Sequence, residues 1–240
     1  MTNGIKKSRK MLNKIKSSLV ANKHTRHKWV EQKLLGLKSG TKILDAGCGT
    51  QRYRKYCKDL DYKGQDFGKY TSEGEGLQSI DWDYGELDYT GDIWNIEEVD
   101  SSFEAILCTE VIEHLPFPNE TIAEFSRLLK ANGQLILTAP YSCLPHMQPY
   151  FFYSGFSVDW YRYFLEKNNF EIVEITPNGN FFTYLIQENL RGINIINNNF
   201  IKFFYCLALL PKLTLDIIIA NFSKNTELCF GFHVVAKLKS

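Results

Sequence analysis

The segment Ile43-Leu44-Asp45-Ala46-Gly47-Cys48-Gly49-Thr50 constrains this chain more than any other stretch. A short apolar run ends on a carboxylate and passes at once into two glycines separated by one residue. Residues without a Cβ let the backbone turn tightly and let a ligand approach it. A buried strand that ends in such a turn suits an α/β architecture, where the turn follows the first strand.

The rest of the chain agrees with that reading, because short apolar runs alternate with segments of helical periodicity. Strands are predicted over Lys42 to Asp45, Tyr62 to Asp66, Phe103 to Cys108, Leu135 to Thr138, Glu171 to Ile175 and Phe230 to Leu238. A crossover helix is predicted over Asn119 to Lys130, with Ile122, Phe125, Leu128 and Leu129 on one face and a stop at Ala131-Asn132-Gly133. Val158 to Lys167 reads as a further helix. The expected fold is α/β, doubly wound and Rossmann-like, with helices on both faces of a mostly parallel sheet of six or seven strands, taken as seven.

At 240 residues the chain has the size of one domain. Its net charge of +1 hides an asymmetry. Nine Lys and Arg precede Glu31 with no acid among them, which leaves 19 of the 28 basic residues against all 27 acids, a body near −8. We therefore divide the chain into a basic segment, residues 1–30, and a domain over 31–240. In the basic segment Leu12, Ile15 and Leu19 fall at helical spacing among Lys6, Lys7, Arg9, Lys10, Lys14 and Lys16. That pattern suits either a solvated terminus or an amphipathic helix on an anionic membrane. No uninterrupted apolar run follows the early charges, so no secretory signal is expected and the cytoplasm is the expected compartment, with peripheral contact to the inner face of the membrane as its extension. The six cysteines form no CxxC pair and read as reduced thiols; no metal site is expected.

Several nucleotide-binding loops begin like Asp45 to Thr50. The dinucleotide fingerprint G-x-G-x-x-G fails because Arg52 stands at the third glycine position, and a P-loop fails because no Gly-Lys-Ser/Thr follows. A carboxylate at Asp45 would repel a pyrophosphate yet attract the ammonium group of an amino-acid-bearing cofactor, S-adenosylmethionine.

At this point the chain resembles the class I methyltransferases, whose first motif is an acidic residue followed by G-x-G-x-G. Asp45-Ala46-Gly47-Cys48-Gly49 fits it, with Gln51 in place of the third glycine. The resemblance runs from Lys42 to Pro140. It takes in Phe103 to Leu115 as the fourth strand with its exit loop, and Arg127 to Pro140 as helix, glycine turn and fifth strand. It implies that Asp45, Gly47, Cys48 and Gly49 cradle the cofactor and that Asp66 bonds the ribose hydroxyls. By the same resemblance Asp92 and Ile93 meet the adenine, and Cys108, Thr109 and Glu110 flank the methionine portion. Asp92 also lies in an acidic stretch with Asp81, Asp83, Glu86 and Asp88, so a solvated face competes for it.

His114 and His146 are the candidate proton acceptors of a catalytic step, each with a structural role as its alternative. The insert 141–156, rich in aromatics, is expected on the acceptor side of the crevice or as a cap on the core. The apolar stretch 200–222 is interrupted by Lys202, Pro211, Lys212 and Asp216, and reads as a helical pair. Such a pair would cover the sheet, mediate a homodimer or lie on a membrane. The expected function is methyl transfer from S-adenosylmethionine to a small molecule or glycan. Nucleic acid is disfavoured, because the basic residues sit in the head and not in the body. The alternative from another class is a non-catalytic S-adenosylmethionine-binding or membrane-peripheral scaffold. A nicotinamide oxidoreductase is disfavoured by Arg52.

Overall fold

The computed structural model describes residues 21–71 and 82–240. The amphipathic pattern between Lys6 and Leu19, and Asp81 of the acidic stretch, lie outside them. The described residues fall into two compact units: one lies within 28–176 and 231–240, the other holds residues 21–27 and 177–230.

The first unit carries the sheet. Its strands are β1 (Lys42–Ala46), β2 (Asp61–Asp66), β3 (Tyr89–Thr90), β4 (Phe103–Thr109), β5 (Leu129–Pro140), β6 (Phe170–Asn178, which runs into the second unit) and β7 (Gly231–Leu238). They form one seven-stranded sheet in the order β3-β2-β1-β4-β5-β7-β6. All pairings from β3 to β5 are parallel, and β7 runs antiparallel to β5. Strands sandwiched on both faces must be apolar throughout. Accordingly Ile43, Leu44, Ala105, Ile106, Leu107 and Ile136 are all fully buried.

The strand order reverses at β1, which lies between β2 and β4. Because these strands are parallel, Ala46, Asp66 and Thr109 end at the same edge, where an open α/β sheet leaves a crevice. Helix α1 (Ala21–Leu35) contributes Val30 and Leu34 to a core with Ile43, Tyr53, Cys57 and Leu107.

The crossover helix α2 (Pro118–Leu128) begins with proline in its first turn, where no intrahelical N–H is needed. It buries Ile122, Phe125 and Leu128 along one face. It stops sooner than the sequence pattern suggests, because Leu129 is already extended and pairs with Phe103. While β4 advances from Phe103 to Ala105, β5 advances from Leu129 to Gln134, so Lys130 to Gly133 form a bulge within a strand instead of a turn before one. Asn132 takes a left-handed φ of 64° there, and a Cβ on Gly133 would lie 2.7 Å from the Lys130 carbonyl. Helix α3 (Val158–Lys167) matches its predicted bounds, and the Ser157 hydroxyl caps it by accepting from Trp160 N.

Arg127 ties this half of the sheet to the preceding loop. Its guanidinium donates to the Glu124 carboxylate, to Asp100 and to the carbonyls of Ile96 and Glu98, all at 2.7–3.0 Å. One planar group therefore satisfies a nearly buried carboxylate and two loop carbonyls together.

In the second unit, α4 (Phe181–Ile195) opens with a reciprocal cap between Asn180 and Thr183. The stretch expected to be a helical pair is one continuous helix, α5 (Asn199–Ala220), with Pro211 inside it. Proline removes one backbone hydrogen bond and crowds the preceding turn. At this exposed position the helix accommodates that loss and continues. The residues of α5 with the least exposure, Leu209 and Asp216, are one heptad apart, so a single narrow stripe is covered.

Candidate active site

The glycine turn is held from below by β2. Gly47 N and Cys48 N both donate to the Gln65 carbonyl at 2.9 Å, and Gly49 N donates to Asp66 Oδ2 at 2.9 Å. Gly47 and Gly49 have φ of 72° and 51°, conformations open to glycine at little cost. The space a Cβ would need at Gly47 is filled by Val111, whose methyl carbons would stand 2.5 and 2.6 Å away. At Gly49 the obstacle is Trp82 Cζ2 at 2.8 Å. The glycines are therefore required by the chain's own packing as well as by any ligand.

Gln51, at the family's third glycine position, also adopts a left-handed φ, 51°. Its side-chain amide donates to the Tyr84 and Glu86 carbonyls at 2.7 Å each. Those two bonds offset the cost of about 1–2 kcal/mol that a side chain meets in this conformation. A residue with a Cβ thus preserves the turn that glycine would make.

Asp45 is fully enclosed at the end of β1 and accepts a 2.7 Å hydrogen bond from the Tyr62 hydroxyl. Burial pushes its pKa up to about 7; the tyrosine bond pulls it down, and the nearby Asp66 raises it again. No Lys or Arg among the described residues is ion-paired with it. Asp66 is also buried, which raises its pKa, but it receives the backbone N–H groups of Gly49 and Gly68. Each of its oxygens retains a lone pair for a further donor.

Gly91 is drawn to the same edge: its N–H donates to the Asp66 carbonyl at 3.1 Å, and its carbonyl accepts from the Gln65 amide at 2.7 Å. Asp92 is exposed there and Ile93 is buried beside it. On β4, Cys108 is fully enclosed, so its side chain packs the strand instead of facing an open crevice. Thr109 and Glu110 are partly open, and Glu110, with φ of 55°, accepts from the Thr138 hydroxyl at 3.1 Å.

The insert 141–156 leaves the end of β5 and is stitched back to it. Cys143 N donates to Ser154 O and Phe156 N to Pro140 O, both at 2.8 Å. Phe152 N and Tyr153 N both donate to the Glu113 carbonyl, and the Tyr150 ring packs edge-on against Phe67, just beyond Asp66. The insert therefore reaches from β5 across the edge to the β2 exit. Of its aromatics Phe156 is core, whereas Phe152 and Tyr153 remain exposed.

It also brings the two predicted histidines together. The rings of His114 and His146 meet edge to face, 4.6 Å between centroids. His114 Nδ1 lies 2.5 Å from the Tyr150 carbonyl, and His146 Nδ1 lies 2.9 Å from the Leu144 carbonyl. A carbonyl only accepts, so each Nδ1 carries the proton and each Nε2 presents a lone pair. Burial, with His146 alongside, lowers the His114 pKa to about 4, which keeps the ring neutral but makes it a weak base at neutral pH.

Sequence reasoning missed Tyr62, Gln65, Val111, Trp82 and Glu113 as members of this site. Glu113 is the one with a local signal, since it adjoins His114. The others arrive through strand register and loop packing.

Residues 44–137 match the model of a family described as a methyltransferase domain. An uncharacterized methyltransferase of Schizosaccharomyces pombe is 30% identical over 114 residues, which cover 42% of this chain and 39% of that protein. The chain thus matches well under half the length of this curated relative. Among solved structures, the fold resembles the cyclase SpnF, with a TM-score of 0.55 and 15% identity over 89% of this chain and 81% of that one. It resembles the Bacillus subtilis protein YcgJ at 0.54, with 13% identity over 90% and 99%. It also resembles Haemonchus contortus phosphoethanolamine N-methyltransferase 2, solved with S-adenosyl-L-methionine, at 0.50, with 17% identity over 89% and 52%.

Proposed function

From the match of residues 44–137 to a methyltransferase-domain model and from the fold, we infer that the chain carries a class I methyltransferase domain and transfers a methyl group from S-adenosylmethionine to a small-molecule or glycan acceptor. The observation that carries the cofactor assignment is Asp45, a buried carboxylate at the crevice that is hydrogen bonded to a neutral tyrosine and, among the described residues, to no Lys or Arg. Such a group gains most from a cation, and the paired acids Asp45 and Asp66 disfavour a phosphate-bearing nucleotide. A cofactor with an ammonium and a ribose but no phosphate fits that donor set.

In this reading Asp45 and the turn Gly47-Cys48-Gly49 hold the amino acid tail, Asp66 the ribose hydroxyls, and Asp92 and Ile93 the adenine. Thr109 and Glu110 border the methionine portion, with Cys108 packing the strand beneath them. When bound, the cofactor supplies an electrophilic methyl group on a sulfonium. The chain's part is to align an acceptor lone pair with that group and to keep water out. The insert 141–156 is suited to exclude water, and the Nε2 atoms of His114 and His146 can accept a hydrogen bond from an acceptor hydroxyl and so orient its oxygen. The test is incubation with methyl-labelled S-adenosylmethionine and extracted small-molecule, glycan, lipid and nucleic-acid pools. Label is expected in the small-molecule or glycan pool. Tight S-adenosylhomocysteine binding with no labelled product in any pool would replace the enzyme by a non-catalytic binding protein.

The cytoplasmic face of an anionic membrane is the location that the second unit supports. Helix α5 spans 22 residues, about 33 Å at 1.5 Å per residue, close to the thickness of a bilayer's hydrocarbon core. Phe200, Ile201, Phe203, Phe204, Leu207 and Leu210 on it are all more than half exposed. An apolar surface of that extent seeks a partner, and the nine basic residues ahead of Glu31 favour anionic lipid over a second copy of the chain. In vesicle flotation the protein is expected to rise with phosphatidylserine-containing vesicles and to lose most of that binding on Phe203→Asp with Leu207→Asp. Flotation unchanged by the double substitution, or a stable dimer that ignores vesicles, would refute the assignment.

A further inference from the structure

We propose that Glu113, His114 and His146 form a binding site for one divalent transition-metal ion per chain. One potential ligand atom from each residue lies within 4.8 Å of the other two, the span three ligands have around a common ion. Glu113 is enclosed completely, and His114 Nε2 stands 3.7 Å from its Oε1. At that separation the two atoms are not hydrogen bonded. With the proton of His114 on Nδ1, Nε2 has none to give, so a lone pair and a carboxylate oxygen face each other in a confined space. A cation placed between them would be within reach of both as ligands.

The surroundings match what ligating histidines need. A metal-bound imidazole usually donates its other N–H to a carbonyl or carboxylate, which fixes the ring and its tautomer. Here both rings do so, His114 to the Tyr150 carbonyl and His146 to the Leu144 carbonyl, and each arrangement leaves Nε2 as the ligand atom. The backbone that presents them is pinned too, since the Glu113 carbonyl accepts from both Phe152 N and Tyr153 N. Two imidazoles and one carboxylate suit zinc, cobalt, manganese or iron(II) better than magnesium or calcium, which prefer oxygen ligands throughout. Three protein ligands leave positions open on the ion. Once bound, the ion replaces the Nε2 hydrogen bonds as what holds an oxygen of the acceptor; that use rests on the methyl-transfer reading, and the binding does not.

The test uses the full-length protein and cobalt(II) as a spectroscopic probe, with bound metal counted by elemental analysis after dialysis. One cobalt per chain is expected, with visible ligand-field bands and no thiolate charge-transfer band. His146→Ala, on a surface insert, is expected to weaken binding at least tenfold, and Glu113→Gln to do the same. A thiolate band would place the ion on one of the six cysteines and overturn the proposal. Binding unchanged in His146→Ala, or no binding by the folded wild-type chain, would overturn it as well. S-Adenosylhomocysteine calorimetry on the same samples reads the methyl-transfer assignment separately.

Discussion

Asp45→Asn is expected to weaken S-adenosylhomocysteine binding about 100-fold or more at pH 8 while raising the melting temperature of the ligand-free protein. Both effects come from one buried charge. The folded pKa of Asp45 lies near 7, against 3.8 for an ordinary aspartate, mainly because burial disfavours the ionised form. A raised folded pKa contributes stability that is complete below the unfolded value and disappears as the pH climbs through the folded one. Between pH 4 and 7 the ligand-free protein should therefore lose stability through this residue, to a total of about 4 kcal/mol at pH 8. Asparagine still accepts the Tyr62 hydroxyl but carries no charge, so the variant should escape that loss.

Binding has the opposite pH dependence. The cofactor's ammonium needs the carboxylate ionised, so wild-type affinity should fall up to tenfold per pH unit below 7, and the variant should show no such slope. Calorimetry at pH 6, 7 and 8, paired with thermal melts, measures both. A variant that binds as well as wild type, or one that melts lower at pH 8, would remove Asp45 from the cofactor site.

Gly47→Ala should cost stability in two separable ways. The new Cβ would stand 2.5 Å from a Val111 methyl, an overpacking usually worth about 1–3 kcal/mol. The φ of 72° adds about 1–2 kcal/mol for any residue with a side chain. Combining Gly47→Ala with Val111→Ala makes room for the added methyl, so the double variant should regain the steric part and retain the torsional part. Gly47→Val, larger and β-branched, is expected to abolish S-adenosylhomocysteine binding. Denaturant titration of the four members of the cycle measures the coupling. Additive costs at Gly47 and Val111 would mean that the packing between the two loops is not what requires glycine here.

The fold was legible in the chain because parallel strands buried on both faces leave nearly continuous apolar runs. Five of the six expected strands lie within one or two residues of their predicted starts, and α3 falls on its predicted bounds. The exception is instructive. Lys130 to Gly133 carries a good helix-stop pattern, yet Leu129 finds a partner in Phe103, and strand pairing extends β5 through the polar residues that local rules assign to a turn. Residues 200–222 misled for a similar reason, since a proline and three charges break the pattern that local rules follow while the helix continues past them.

Local sequence determined the α/β class, the glycine turn and the acidic edge, because each depends on residue type and on spacing over a few positions. It also marked His114 and His146 one at a time. Tertiary structure decided what they do together. Parallel register sets β2 beside β1, so that Tyr62 reaches the Asp45 carboxylate. Gln51 keeps a glycine's conformation because distant carbonyls hold its amide. The insert folds back from β5 to carry His146 against His114 and Glu113. Contacts between residues far apart along the chain depend on how the strands are ordered and where the loops return, and no pattern of neighbouring side chains encodes that.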